Sequence, residues 1–499
     1  MKLIMPRVWL ALLLACLPTV ATAETLLDVI RMAYDSNPTL RAQRAELRAT
    51  DERYVQAKAG YGPQVSVSAQ YGVQSARVQE PASFFTPATT TNYRANTGSA
   101  DLGLAQPLYS FGATRAEVRG AAATVAAGRD ALRQTESQVL TNAITAYVDV
   151  RRDRKILQIL KDEIVDLTRD YHETEARQSA GQLSRVDLAE AQERLLLAQS
   201  QFELAQGHLD GSVAEYLDVI GESPGELEAE PDLLAIPSAV DQAYEAAEHN
   251  NAQLSQAIEN ERAAREAVNQ AKAANGPTIT AKLDAAIAPV EPYLPRQYDQ
   301  NVTAAVVFSM PLFTSGMNSS KIREALDEDY RAELNIEEAR RGVIQLVTQA
   351  WTQLSAARRA ITIGNRQIEA ETLSTVGNRA EEQSGLRTTI DMLNAEQELA
   401  DSRVTMANSQ HDEYVARVNL LAAMGLLQAN FIAPGGEVYS ADEAFKRVRN
   451  IGSLPWEKVI AALDAVGAPI SQEPKTSTPA GGDVRPTNLP ALPAAPTAR

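Results

Sequence analysis

The sequence predicts a mixed α/β membrane protein, mostly α, built from two internal repeats that each carry a β-hairpin and a long coiled-coil helical hairpin. Three observations predict it: a duplication spanning most of the 499 residues, four segments of period-two alternation, and two very long helical runs with hardly a proline. Gln56, Ala57 and Lys58 recur as Gln270, Ala271 and Lys272, and Gly62-Pro63 recurs as Gly276-Pro277, at a constant spacing of 214. From Pro107-Leu108-Tyr109, matched by Pro311-Leu312-Phe313, the spacing becomes 204. It then holds for Tyr147 with Trp351, Gly181 with Gly385, Asp187 with Asp391 and Gly221 with Gly425. Units repeated at this length stack to bury faces that neither covers alone. The ten-residue slip falls between Pro277 and Pro311, which predicts an exposed loop, since length changes are tolerated there.

Residues 1–23 read as a secretory signal: Lys2 and Arg7, the apolar run Val8 to Leu14, and Ala21-Thr22-Ala23 before Glu24. That run is too short to span a membrane. Leu13-Leu14-Ala15-Cys16 offers a rival lipoprotein cleavage box, which Leu14 fits poorly. With Cys16 removed no cysteine remains, so neither disulfides nor thiolate metal sites are available. A formal net charge of −17, more negative still without Lys2 and Arg7, argues against nucleic acid or an anionic lipid surface as partner.

Each repeat (24–221 and 238–428) opens with a helical stretch, Thr25 to about Ala59 and Ser238 to about Ala274, ended by its Gly-Pro pair. Alternation follows. Val65, Val67, Ala69, Tyr71 and Val73 oppose Ser66, Ser68, Gln70 and Gln74; Ile279, Ala281, Leu283, Ala285 and Ile287 oppose Thr278, Thr280, Lys282 and Asp284. Return strands run Tyr93 to Leu108 and Gln300 to Leu312, giving hairpins over about 64–108 and 278–312 joined by Pro-rich loops. Half-buried strands of a soluble sheet would alternate in the same way. Strands of about ten residues with Tyr61, Tyr109, Phe111, Tyr293, Tyr298 and Phe313 at their ends instead match transmembrane β-strands with aromatic girdles. Four strands cannot close a barrel, and an open edge is not viable in lipid. The chain must therefore oligomerise to complete one.

From Gly112 and Gly316 long helical stretches follow. Leu157, Leu160, Ile164, Leu167 and Tyr171, then Leu188, Ala191, Leu195, Ala198, Phe202, Ala205 and Leu209, keep 3,4 spacing, and Met392, Ala395, Leu399, Ser402 and Met406 repeat it. A sustained 3.5 period specifies coiled-coil packing. Breaks near Gly181 and Gly385, with Ser184 and Thr388 as caps, fold each run into an antiparallel hairpin. Residues 222–237 read as an acidic connector, 429–466 as a non-repeat region with a short helix near Trp456 to Ala465, and 467–499 as a disordered Pro-rich tail.

No enzyme is expected. His172, His208, His249 and His411 lack metal-ligand spacing, and no nucleophile–base set or phosphate loop is present, so no cofactor or metal is expected either. A periplasmic coiled-coil adaptor or scaffold would share the signal and the heptads but would not need the four strands.

The stretches ETLLDVIRMAYDSNPTLRAQRAEL, AKAGYGPQVSVSAQYG, AQPLYSFG, SAGQLSRVDLAEAQ and SGLRTTIDMLNAEQELADSR, in that order over about Glu24 to Gln428, resemble the TolC-type outer membrane efflux proteins. The resemblance implies a homotrimer whose chains give four strands each to a twelve-stranded outer-membrane β-barrel, continuous with a coiled-coil α-helical barrel in the periplasm. It implies an exit duct that meets a periplasmic adaptor and, through it, an inner-membrane ABC or proton-driven pump. Its cargo would be secreted protein, favoured by the extended C-terminal region with PWEKVIAALD, or small toxic molecules. The 429–466 region would form an equatorial collar. By the same resemblance Asp391 is a pore constriction, with Asn394 where the family often has a second aspartate. Arg387 and Asp187 fall at latch positions, with a solvated coiled-coil charge as the plainer alternative. Gly181, Leu183, Ser184, Gly385 and Leu386 match the tips that meet the adaptor.

Overall fold

The computed structural model describes residues 24–232, 235–290, 297–428, 439–471, 489 and 492–493. The expected signal segment, residues 429–438 and most of the Pro-rich tail lie outside these. Each repeat begins not with one helix but with two: α1 (Leu26–Ser36) and α2 (Pro38–Lys58), then α5 (Val240–Asn250) and α6 (Ala252–Ala273). The break is an asparagine in each case. Asn37 Oδ1 accepts from the backbone N–H of Thr39 and Leu40 while its Nδ2 donates to the Val219 carbonyl. Asn251 does the same with Gln253, Leu254 and the Ala423 carbonyl. An asparagine able to cap a new helix while binding a distant carbonyl ends the preceding one, and the sequence reading of uninterrupted helices is corrected accordingly.

The strands are β1 (Gln64–Glu80), β2 (Thr89–Tyr109), β3 (Thr278–Pro289) and β4 (Tyr298–Ser309), in sheet order β1-β2-β3-β4 with every neighbour antiparallel. β1 and β2, at 17 and 21 residues, outrun the expected ten. β4 stops short of Leu312 for a physical reason. The matching residues of β2 pair with β3 through a bulge between Pro107 and Tyr109, whereas β4 lies at the sheet edge and has no neighbour there. The register sorts the two faces. Val67 lies opposite Leu102, Leu102 opposite Ala285 and Ala285 opposite Val302, an apolar row across all four strands. The adjacent row, Ser66, Gly103, Asp284 and Thr303, is polar. Val67 and Val302 remain 75% and 70% exposed, so among the described residues no layer covers the apolar face. This is the outward-apolar, inward-polar pattern of a membrane barrel wall rather than a soluble half-buried sheet.

After each hairpin a left-handed pair, Phe111-Gly112 and Ser315-Gly316, turns the chain into a 67-residue helix: α3 (Ala113–Ser179) and α7 (Met317–Gln383). At 1.5 Å per residue each is roughly 100 Å long. α4 (Arg185–Ile220) and α8 (Thr389–Ala423) return antiparallel to them. On α4 the heptad stripe resolves into Ala191, Ala198, Ala205 and Ser212, all buried, flanked by half-buried Leu188, Leu195, Phe202 and Leu209. Small residues on the seam let the helices approach closely. The main core lies midway along α3 and α7, against the C-terminal ends of α4 and α8, where Tyr147 and Trp351, matched across the duplication, are both 0% exposed. Two short helices, α9 (Ala441–Val448) and α10 (Glu457–Asp464), pack back onto the first repeat through α2, α3 and β2.

Candidate functional site

The two hairpin tips are built alike. In the first, Gly181 takes φ 77° and the Gln182 N–H closes on the Arg177 carbonyl at 2.9 Å. In the second, Gly385 takes φ 75° and the Leu386 N–H closes on the Glu381 carbonyl at 2.8 Å. Only glycine adopts that left-handed C′ position without steric cost. The return helices then start with reciprocal caps. Ser184 Oγ accepts from the Asp187 N–H while the Ser184 N–H donates to Asp187 Oδ2 at 2.8 Å. Thr388 and Asp391 repeat the exchange, and the Thr388 hydroxyl adds a 2.6 Å bond to Asp391 Oδ2. Both aspartates thus have a structural duty, and S-R-V-D and T-T-I-D are capping boxes legible in the sequence. These hydrogen bonds, with a smaller contribution from Arg387, hold the Asp391 carboxyl below the usual carboxylate range, so it is ionised at neutral pH.

Arg387 does not meet Asp187 within the chain. Its Nε donates to Glu381 Oε2 at 3.0 Å across the turn, and Asp187 is engaged by its own cap. Leu183 is half-buried, Leu386 is 78% exposed, and nothing stands within 4 Å of where a Cβ would lie on Gly181 or Gly385. Asn394 accepts from Arg194 Nη2 at 2.8 Å while Arg194 Nη1 donates to Gln397 at 2.6 Å, tying α4 to α8.

Behind the tips lies a network that reading the sequence did not find. Arg379 of α7 pairs with Glu396 of α8 and lies 3.2 Å from Asp170 of α3, which is 4% exposed. Arg177 of α3 bonds Glu382 of α7 at 2.5 Å. Burial first, then the hydrogen bond and charge of Asp170, push Glu396 up to about 8, so its proton is held against the Asp170 carboxylate at neutral pH. These groups join the first repeat's hairpin to the second's. No local pattern marks the links between hairpins, because Asp170 and Arg379, and Arg177 and Glu382, are about two hundred residues apart.

The other end of the long helices holds a second feature. Asp464 of α10, 1% exposed, accepts from the N–H and hydroxyl of Ser110 at 2.7 and 2.8 Å, from the Gly112 N–H at 3.1 Å and from the Arg115 N–H at 3.2 Å. It caps α3 where the strand becomes the helix, a place suited to a carboxylate by the helix dipole.

An uncovered amphipathic sheet with free edges, joined to helices of this length with paired tips, is the build of a barrel-and-tunnel channel subunit. The chain belongs to the outer membrane efflux protein family, whose model matches residues 29–221 and 243–426. It is 29% identical over 437 residues to the outer membrane efflux protein BepC of Brucella suis, covering 86% of this chain and 91% of that protein. It is 25% identical over 443 residues to the outer membrane protein TolC of Escherichia coli, covering 86% and 87%. The alkaline protease secretion protein AprF of Pseudomonas aeruginosa is 21% identical over 434 residues, covering 83% and 88%. Among solved structures, the Campylobacter jejuni CmeC outer membrane channel superposes with a TM-score of 0.71 at 14% identity, over 85% of this chain and 89% of that one.

Proposed function

We propose that this chain is one subunit of a homotrimeric exit duct in the cell outer membrane, its helices reaching into the periplasm. Three four-stranded sheets would close a twelve-stranded barrel, each β4 edge pairing with a neighbour's β1. The duct would passively pass substrate delivered by an inner-membrane ABC or proton-driven pump through a periplasmic adaptor. The observation that carries this reading is the uncovered apolar row Val67, Leu102, Ala285 and Val302 on a sheet with two free edges, since such edges are not viable in lipid unless paired. Val165, Leu204, Leu373 and Val376 on the long helices, 61–75% exposed, supply apolar surface for neighbouring subunits.

In the duct, three ionised Asp391 carboxylates near the axis would form a cation-attracting constriction, with Asn394 making no second charged ring. Gly181, Leu183, Ser184, Gly385 and Leu386 would be the tips that receive the adaptor's helical hairpin. Type I protein secretion is the favoured cargo route. Its supports are the similarity to a protein named for alkaline protease secretion and the extended C-terminal segment anchored by Asp464. Small-molecule efflux is the second reading, supported by the efflux protein of Brucella suis at 29% identity. Deleting the gene and measuring both the secreted proteins and dye accumulation separates them. A lost secreted protein supports secretion, while an unchanged secretome with raised dye retention removes it. Recovery of the full chain in soluble form without detergent would remove the barrel itself.

A further inference from the structure

Glu261 on α6 and Asp329 and Glu333 on α7 place one carboxylate oxygen each within 4.8 Å of one another. Asp329 and Glu333 are one turn apart on the same helix face, where two like charges repel. Glu261 is 4% exposed, and its Oε1, like Asp329 Oδ1, is closed to solvent and has no hydrogen-bond partner. The nearest cation to Glu261 is Arg265, whose Nε stands 3.8 Å from Oε1, too far for a hydrogen bond. Arg262 is engaged by both oxygens of Glu259, and Lys272 donates to Ser471. Burial raises both Glu261 and Asp329 above the usual carboxylate range, with Arg265, and for Asp329 also Lys272, only partly opposing it.

The duplication supplies a control within the molecule. At the spacings of 214 and 204, the first repeat places Leu47, Val125 and Arg129 where the second has Glu261, Asp329 and Glu333. Leu47 and Val125 are 1% and 2% exposed, ordinary core residues. Arg129 is balanced by Asp442 at 2.8 Å and attracts buried Asp51, whose counterpart is Arg265. In the first repeat the same helix–helix layer thus holds one buried carboxylate, Asp51, itself raised by burial and with Oδ1 unpartnered, beside one guanidinium. In the other it holds three carboxylates against one adjacent guanidinium. Carboxylates are not buried unpaired without a counter-charge. A cation that binds oxygen at about 2.4 Å spans two donors up to about 4.8 Å apart, and an all-carboxylate donor set selects hard ions.

We propose that Glu261, Asp329 and Glu333 bind a hard divalent cation, of which Ca²⁺ is the type, and that this ion staples α6 to α7 beneath the second membrane hairpin. The site lies far along α7 from Asp391 and is separate from any constriction at the tips.

The test uses the full chain extracted in detergent in its native assembly, stripped with EDTA and titrated with Mn²⁺ in an Asp391→Asn background. The loss of the free-ion signal in electron paramagnetic resonance reports binding. The expected result is one Mn²⁺ per chain, displaced by Ca²⁺, with binding weakened at least tenfold by Glu333→Gln and by Asp329→Asn. The triple change Glu261→Leu, Asp329→Val and Glu333→Arg installs the first repeat's residues and is expected to assemble without metal and to bind none. If that variant fails to assemble, the two single changes decide. No bound Mn²⁺, or binding that Glu333→Gln and Asp329→Asn leave unchanged, overturns the proposal.

Discussion

At the strand-to-helix junction of the first repeat, Asp464 gathers Ser110, Gly112 and Arg115, and Tyr109 donates to the Val466 carbonyl at 2.7 Å. At the matched junction of the second repeat no carboxylate among the described residues caps α7, whose Asn318 N–H reaches the Thr314 hydroxyl at 3.5 Å, and Leu312 and Phe313 stand 90% and 87% exposed. The same asymmetry continues along the helices. Lys58 reaches Glu457 at 3.2 Å together with Ser453 and the Arg449 carbonyl, and Tyr54 meets Phe445 edge-on, whereas the counterpart Lys272 finds Ser471. One backbone plan, used twice, is buttressed once. The non-repeat segment 439–471 packs mainly on the first copy, reaches the second at α6 through Ser471, which meets Lys272 and Asn269, and leaves bare surface at the α7 junction.

Four changes probe that difference, beginning with the largest. Asp464→Ala leaves three backbone donors near α3 without their acceptor, two of them flanking a left-handed residue, and is expected to destabilise the first junction by about 3 kcal/mol. Ser315→Ala at the more weakly capped second junction is expected to cost well under about 1 kcal/mol. Limited proteolysis of the extracted assembly, mapped to each junction, reads both. Equal protection of the two would end the claim that the C-terminal segment supports only one of them. The matched glycines sharpen the comparison. A Cβ on Gly276 would fall 2.1 Å from the Phe111 ring and 2.5 Å from its Cβ, while one on Gly62 would meet only the Ala59 carbonyl at 3.3 Å and Leu454 at 3.8 Å. Gly276→Ala is therefore expected to cost about 2–3 kcal/mol and Gly62→Ala less than about 1 kcal/mol, measured as heat-induced loss of the oligomer. Similar losses would show that Phe111 moves freely.

The tips differ in a titratable group. Glu396 matches Gln192, which is exposed on α4. Because burial and Asp170 raise Glu396 from 4.5 to about 8, the folded state holds a proton that the unfolded chain releases earlier. Stability from this group therefore falls as pH rises from about 4.5 to about 8 and is flat above. Glu396→Gln, which makes the repeats alike, is expected to lose less melting temperature between pH 5 and pH 8 than the parent. Parallel curves for the two proteins would place the titration elsewhere.

What was legible in the sequence was local or periodic. Heptads announced α3, α4 and α8, the long run with hardly a proline announced α7, the Gly-Pro pairs ended the opening helices, and alternation announced all four strands, with their ends misjudged where pairing rather than pattern decides the boundary. The caps of Ser184 and Thr388 were legible, though the reciprocal role of Asp187 and Asp391 at N3 was not drawn from them. What was illegible is tertiary. Asp464 acts on residues about 350 positions earlier, Asn251 breaks its helix where a distant carbonyl lies beside it (the matching break at Asn37 has Pro38 as a local signal), and Asp170, Arg379 and Glu396 meet only once two hairpins pack. A charge on a coiled-coil face looks the same in sequence whether water or a neighbouring helix covers it.

The smallest expected effect lies at the outermost point of the same comparison, where the first tip has Leu183 and the second has Arg387. Arg387 and Glu381 are each about half exposed, and a pair of that kind is worth about 0–1 kcal/mol, enough to bias a tip without locking it. If Arg387 helps hold the tips together, Arg387→Ala is expected to raise single-channel conductance in planar bilayers while leaving the melting temperature nearly unchanged. Glu381→Ala and Asp187→Ala then identify its partner. A matching rise with Glu381→Ala alone makes the restraint local to one tip. A matching rise with Asp187→Ala, beyond the loss of about 1 kcal/mol expected for its cap, makes it a link between neighbouring chains. Unchanged conductance in Arg387→Ala would leave Arg387 as a solvated charge and remove the latch.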